Sequence, residues 1–150
     1  MARQYAVAVI CSDHGSRSGG MMAVQVVMGA MLQCSFGAAP SSMVELPSNR
    51  TMAGGVPAAT IMDHAPLMNI MPFGTCSSPA NPMVAAATAA ALGVLTPMPC
   101  IPATAAPWVP GAPTATIGGF PALDNNCKLM CNWAGVIQVT NAGQASVMVP

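Results

Sequence analysis

Apolar and polar positions alternate along this chain only in short runs, and glycine or proline interrupts nearly every run. From Ala23 to Phe36 the residues are β-branched at first, with Val24, Val26 and Val27. The run is then broken at Gly29 and resumes, which predicts strand, bend and strand. Turn chemistry follows over 37–42. Met43-Val44-Glu45-Leu46 predicts a short strand ended by Pro47-Ser48-Asn49, and a further strand is expected after Arg50. The last stretch, Gly135 to Val149, alternates around Val136, Ile137, Val139 and Val147 and predicts a return to strands.

One segment is helical. Asn81 suits an N-cap, Pro82 the first helical position, Val84 to Leu92 is Ala-rich, and Gly93 is the expected stop, so a helix is predicted over about 82–92. After it Pro97, Pro99, Pro102, Pro107, Pro110 and Pro113 forbid a regular central strand and predict an extended lacing of backbone across a surface. The fold class is therefore mainly β, built of short hairpins with one short α-helix. Residues 1–20, with Tyr5, Cys11, Asp13, His14 and the run Ser16-Arg17-Ser18-Gly19-Gly20, read as an N-terminal extension. A second possible start follows at Met21-Met22, and 21–150 read as a single domain.

Two internal echoes refine this picture. Thr51-Met52-Ala53-Gly54-Gly55-Val56-Pro57-Ala58-Ala59-Thr60-Ile61 recurs in shortened form as Thr116-Ile117-Gly118-Gly119-Phe120-Pro121-Ala122-Leu123. The pairs Gly54-Gly55 and Gly118-Gly119 supply the positive φ values of a tight hairpin, and Pro57 and Pro121 tolerate only an edge or a strand start. Asp63 and Asp124, one after each copy, suit the closing of the next turn. Separately, Cys34-Ser35-Phe36-Gly37 resembles Cys131-Asn132-Trp133-Ala134-Gly135, and on a strand the sulfur and the ring would face the same way.

Composition then narrows the function classes. Hydrophobic residues make up 53% of the 150 residues, charged residues 5% and aromatic residues 4%. Ordinary soluble domains carry about 25% charged residues, so this surface lacks the usual solvated coat and is expected to meet a permanent partner. The formal net charge is zero, and Arg3, Arg17, Arg50 and Lys128 are too few for the phosphate neutralisation that nucleic-acid binding needs. The longest helix-compatible apolar run, Met83 to Leu95, falls short of the roughly 20 residues of a membrane span, so no transmembrane segment is expected. No secretory signal is evident near the N-terminus, which predicts folding in a reducing cytoplasm.

The carboxylates, Asp13, Glu45, Asp63 and Asp124, show no spacing that suggests an acid/base pair, and neither glycine pair leads into a phosphate-binding helix. The chain is not expected to be an enzyme. The 14 methionines form no tight Met-x-Met cluster and read as core filler. In a reducing compartment the six cysteines favour metal over disulfides. A closed zinc site takes four thiolate or imidazole ligands, and Cys34, Cys76, Cys100 and Cys131 qualify as a set because each adjoins turn-like residues. Cys127 or His64 could replace one of them.

These residues together resemble the PAAR-like family catalogued as DUF4280. The resemblance runs from about Met28 to Gln144. It is carried by Met-Gly-Ala-Met-Leu-Gln-Cys-Ser-Phe-Gly, Pro-Ala-Ala-Thr-Ile-Met-Asp, Asn-Ile-Met-Pro-Phe-Gly, Asn-Pro-Met-Val-Ala-Ala-Ala-Thr-Ala-Ala-Ala, Pro-Met-Pro-Cys and Lys-Leu-Met-Cys-Asn-Trp-Ala-Gly. It implies a small conical fold of hairpins in pseudo-threefold arrangement, with a metal near its point. The implied role is to cap and sharpen the trimeric VgrG-like spike of a contractile injection system, of the type VI secretion or extracellular phage-tail-like kind. Such a cap is made in the bacterial cytoplasm, mounted on the particle and delivered outside the cell or into a target cell, with transient contact with the target membrane. Effector cargo could attach through residues 1–20 or the C-terminus. The ordinary PAAR domain holds its metal with His residues plus a Cys, whereas this chain offers mainly Cys at the corresponding turns. The alternative reading is a stand-alone cysteine-rich metal-binding or redox protein, with Cys127, Cys131 and Cys11 as its reactive groups.

Overall fold

The computed structural model describes residues 23–150. The expected extension over 1–20, with Cys11, Asp13 and His14, and the start at Met21-Met22 lie outside the described residues. In chain order the elements are β1 (Ala23–Val24), β2 (Met31–Cys34), β3 (Ser41–Ser42), β4 (Met52–Ala53), β5 (Val56–Pro57), β6 (Thr75–Cys76) and α1 (Pro82–Ala90). They continue as β7 (Met98–Pro99), β8 (Ala112–Ile117), β9 (Phe120–Ala122), β10 (Lys128–Met130), β11 (Val136–Asn141) and β12 (Met148–Val149). The fold is mainly β, in small sheets with one α-helix, as the pattern of short runs predicts.

The largest sheet has four antiparallel strands in the order β10-β11-β2-β3. Its centre joins distant parts of the chain, since Ile137 pairs with Cys34 and Val139 with Leu32. Leu32, Leu129 and Ile137 alternate inward and are fully buried with Phe73, Ile70 and Trp108. Around it stand the two-stranded pairs β1-β12, β4-β5, β6-β7 and β8-β9. A second cluster of small residues, Ala53, Ala58, Ala112 and Ala122 with Val27 and Ile117, fills the space between the glycine hairpins.

Both glycine pairs make the turns expected of them. Ala53 pairs with Val56 across Gly54-Gly55, and Ile117 with Phe120 across Gly118-Gly119. The φ values are +61° and +84° in the first turn and +58° and +88° in the second, the left-handed pair of a two-residue hairpin loop. Each following aspartate closes a turn: Thr60 N–H donates to Asp63 Oδ2 at 2.6 Å, and Asn126 N–H to Asp124 Oδ1 at 2.7 Å. Pro57, Pro99, Pro113 and Pro121 all sit in two-stranded pairs, where a missing N–H breaks no central ladder.

Three expectations need correction. The strand predicted at 43–46 falls two residues earlier, at β3, because Met31 and Leu32 pair with Ser42 and Ser41; Met43 is bridged to Ile70 and bonds the backbone of Ala30 and Gly29. Phe36 and Trp133 stand on turns that follow the strands, since Gly37 N–H returns to the Cys34 carbonyl at 3.1 Å and Cys131 N–H to Gly135 O at 2.9 Å. The helix ends at Ala90. Leu92, φ +57°, and the expected stop Gly93, φ +89°, are both left-handed, and Gly93 N–H donates to Thr88 O at 2.9 Å while Leu92 N–H donates to Ala89 O at 3.2 Å. That is a Schellman closure with leucine in the position glycine usually takes. At its start Asn81 Oδ1 accepts from Met83 N–H at 3.0 Å, as predicted.

Candidate metal centre

The main core holds Cys34, Cys76, Cys100 and Cys131 together with Cys127, and the first four stand at strand ends or just after them. Cys34 closes β2, Cys76 closes β6, Cys100 follows β7 and Cys131 follows β10; all four are buried and free. Local backbone bonds tie these ends together. The turn after Cys34 lies against β6 through a bridge between Gly37 and Cys76, with Ala38 N–H on Thr75 O at 2.9 Å and Ser77 N–H on Phe36 O at 3.1 Å. β6 pairs Cys76 with Met98, and Cys100 N–H donates to Gly74 O at 2.7 Å, which sets Cys100 beside it. Cys131 comes in across the sheet, where β10 pairs with β11 and β11 with β2.

Two glycines make room for this packing. A Cβ on Gly135 would lie 2.9 Å from Cys34 Sγ and 3.6 Å from Cys131 Cβ. One on Gly37 would lie 2.5 Å from Phe73 Cβ and 3.3 Å from Cys34 Cβ. The surrounding wall is aromatic: Phe73 is fully buried, Phe36 packs against the cluster, and Trp133 is fixed by its Nε1–H on Ile101 O at 3.0 Å and by the Ser78 hydroxyl, which donates to the Trp133 carbonyl.

Burial disfavours the charged form of Cys34 and of Cys100, and so do their neighbours. Burial is the main cause that raises Cys34; the backbone at Phe36 and Gly37 opposes it, while Cys131 and Cys76 add to it. Cys100 is pushed up to about 11, first by burial, with Cys76, Cys34 and Cys131 adding to the rise against the backbone at Phe73. Cys34, Cys76 and Cys131 therefore lie within electrostatic reach of Cys100. Among the described residues, however, no three or more His, Cys, Asp or Glu side chains are arranged as a ready-made metal-binding group. The donor chemistry suits a soft, four-coordinate ion in number and type, but holding one requires the thiols to ionise and turn toward a common point.

The two substitutes are held by other contacts, although Cys127 belongs to the same buried core. Cys127 is buried near Asp124, accepts Gly111 N–H on its sulfur at 3.3 Å, and is raised by burial and by Asp124. His64 points its Nδ1 at Thr104 O, 3.4 Å away, and its own carbonyl accepts the Thr104 hydroxyl. Neither is among the groups that act on Cys34 or Cys100.

Spacing gives no hint of one further polar feature. Glu45 is only 3% exposed, and its carboxyl is pushed up to about 8, first by burial and then by Asp63. The four carboxylates show no acid/base spacing in the sequence, and it is the fold that brings Asp63 within reach of Glu45. The approach is tertiary, and only the burial of a lone acid in an apolar run, Met43 to Leu46, could have signalled it.

No helix among the described residues is long and apolar enough to cross a membrane. No curated protein and no solved structure matches the chain. Residues 26–144, which span every strand end that carries a core thiol, match the family model described as a domain of unknown function (DUF4280), and the chain belongs to that family.

Proposed function

We propose that this protein is a structural spike tip, not an enzyme. It caps and sharpens the trimeric VgrG-like spike of a contractile injection system, one cap per trimer, and helps to pierce the target membrane. The observation that carries the reading is the surface. With 5% charged residues in the sequence, the fold leaves Leu92, Val94, Leu95, Met52, Val109 and Phe120 exposed. Apolar exposure with so little charge suits a protein that spends its life against a partner. Membership of DUF4280 and the likeness of its glycine hairpins to PAAR proteins supply the kind of partner.

A zinc ion held by Cys34, Cys76, Cys100 and Cys131 is the matching cofactor. It would couple β2, β6, β7 and β10, and its binding free energy would become folding free energy in a core rich in Ala and Val. The thiols bring distant chain segments to one place; Phe73, Phe36 and Trp133 keep water from them. Glu45 is buried and the Asp63 carboxylate is committed to Thr60, which leaves both poorly suited to act on a substrate.

Co-expression with a trimeric spike tests the reading. The expected result is co-purification at one cap per trimer with about one zinc per cap, and aggregation of the chain expressed alone. A soluble monomer that ignores the spike would point instead to a stand-alone metal-binding or redox protein.

A further inference from the structure

Between β6 and β7 the chain makes one excursion. Cys76 pairs with Met98 at its foot, and α1 with the turn after it forms its body. Val84 of α1 is buried and Ala87, Thr88 and Ala91 are half-buried, which sets that side of the helix against the fold. The other side, where a surface helix ordinarily carries charged and polar residues, holds Met83, Ala85, Ala86, Ala89 and Ala90, all exposed. Beyond it Leu92, Val94 and Leu95 are 96%, 67% and 54% exposed. No Asp, Glu, Lys or Arg occurs between His64 and Asp124.

Leu92 is also strained. Its φ of +57° is cheap for glycine and costly for a residue with a Cβ, yet the side chain packs on almost nothing. A strained leucine without contacts in its own fold points to a contact outside it.

Hydrogen bonding narrows what that contact is. Beside the Leu92 and Gly93 amides of the helix closure, Ala91 N–H donates to Ala87 O at 3.0 Å and Val94 N–H to Ala91 O at 3.2 Å. Thr96 N–H donates to Thr88 Oγ1 at 3.1 Å, and the Thr96 hydroxyl donates to Val94 O at 3.0 Å. A protein interface surrounds its apolar centre with a polar rim that supplies hydrogen bonds and direction. This turn has spent these amides and both threonine hydroxyls on itself, and its stretch of chain brings no charge. Hydrocarbon, which offers polar groups no partner and penalises every charge, is the surrounding that suits it.

We propose that the turn over 91–96, with the outer side of α1, is a membrane-contact surface that enters the hydrocarbon of one leaflet. The apolar turn is far shorter than the roughly 20 residues of a span, so the insertion is shallow. Without a cation in the segment, attraction is to the acyl chains and not to anionic headgroups, and salt should matter little. The inference deepens the membrane contact of the proposed spike tip and rests on that reading for the occasion on which a membrane is met.

Flotation of the full chain, co-purified with its spike, on vesicles of phosphatidylcholine alone tests it. The chain should float with the vesicles to the same extent in about 0.1 M and about 1 M salt. Val94→Asp combined with Leu95→Asp should lower the bound fraction by about tenfold or more. Leu67→Asp, at a position as exposed as Leu95 but on another turn, should leave it unchanged, and every variant should still co-purify with the spike. In Leu95→Trp the added emission should shift to the blue on vesicles and be quenched by bromine placed on the acyl chains. No flotation of the parent, undiminished flotation of the paired Asp variant, or flotation that needs phosphatidylglycerol and fails in high salt overturns the proposal. Loss of spike attachment in the paired Asp variant overturns it too, and would make the turn part of the protein interface while the spike-tip reading stands. A chain that joins no spike defeats that reading alone, and the same flotation of the full chain by itself then decides the membrane contact.

Discussion

Gly135 and Cys34 occupy each other's space: a Cβ on the glycine would stand 2.9 Å from the Cys34 sulfur. Gly135 also accepts Cys131 N–H at 2.9 Å, so one residue shapes the positions of two thiols. Its φ is not in the left-handed region, so the need for glycine here is steric.

Gly135→Ala should therefore act on the thiol set. Overpacking in a close-packed core costs about 1–3 kcal/mol, and Cys34 has one torsion with which to escape. The expected result is a lower denaturation midpoint together with weaker zinc binding, because the displaced sulfur no longer faces its partners. A variant that binds zinc as tightly as the parent would separate Gly135 from the proposed site.

The thiols give a second prediction, in the absence of metal. Cys100 is raised to about 11 from the ordinary 9.0, so at pH 8 its thiolate fraction is about a hundredfold smaller than in the unfolded chain. Iodoacetamide should modify it at least that much more slowly in the folded, metal-free protein. The raised value also means that folding is favoured below pH 9 and that this contribution declines as pH climbs toward about 11. Because zinc must displace thiol protons, its affinity should rise with pH, by up to about tenfold per pH unit for each proton released. Rapid alkylation of folded Cys100 at pH 8 would contradict its burial.

Much of this arrangement is legible in the sequence, and the parts that are not have a common cause. The hairpins follow from Gly54-Gly55 and Gly118-Gly119, because adjacent glycines between strand formers leave few other conformations, and Asp63 and Asp124 close turns through their own neighbours. Cys34, Cys76, Cys100 and Cys131 each adjoin turn-like residues in the sequence, and each stands at a strand end or just after one in the fold. Local pattern fails where pairing is long-range. β3 lies at 41–42 because β2 needs that partner, although Met43 to Leu46 has the better strand composition. Val44, beside the buried Glu45, is held by Asn69 at both its N–H and its carbonyl, a pairing across 25 residues that no local pattern announces. Phe36 and Trp133 leave the strand direction because the carbonyls of Cys34 and Gly135 capture backbone amides in tight turns.

The helix end yields a third prediction. Leu92 holds φ +57° with 96% of its surface exposed, so it bears left-handed strain and buries nothing in return. That strain costs about 1–2 kcal/mol in a residue with a Cβ, and asparagine tolerates the region better. Leu92→Asn should raise stability by up to about 1 kcal/mol in urea unfolding of the isolated chain. Should the same change weaken attachment to the spike, Leu92 would be kept for the partner at the expense of the fold.

Gly118 and Gly119 allow the two sources of glycine preference to be separated. Both have left-handed φ, so alanine at either should cost about 1–2 kcal/mol through backbone strain. Only Gly118 has a neighbour in the way: a Cβ there would stand 2.9 Å from Asn49 Oδ1, whereas one on Gly119 meets nothing within 4 Å. Gly118→Ala should therefore be the more damaging change, and its excess over Gly119→Ala should vanish when Asn49 is replaced by alanine. A double-mutant cycle over Asn49 and each glycine measures this directly, with a coupling of about 0.5–3 kcal/mol for Gly118 and about zero for Gly119. Equal coupling at both positions would mean that the β8-β9 turn does not rest on the Pro47–Asn49 turn, and that the contact between the two hairpin regions is incidental to stability.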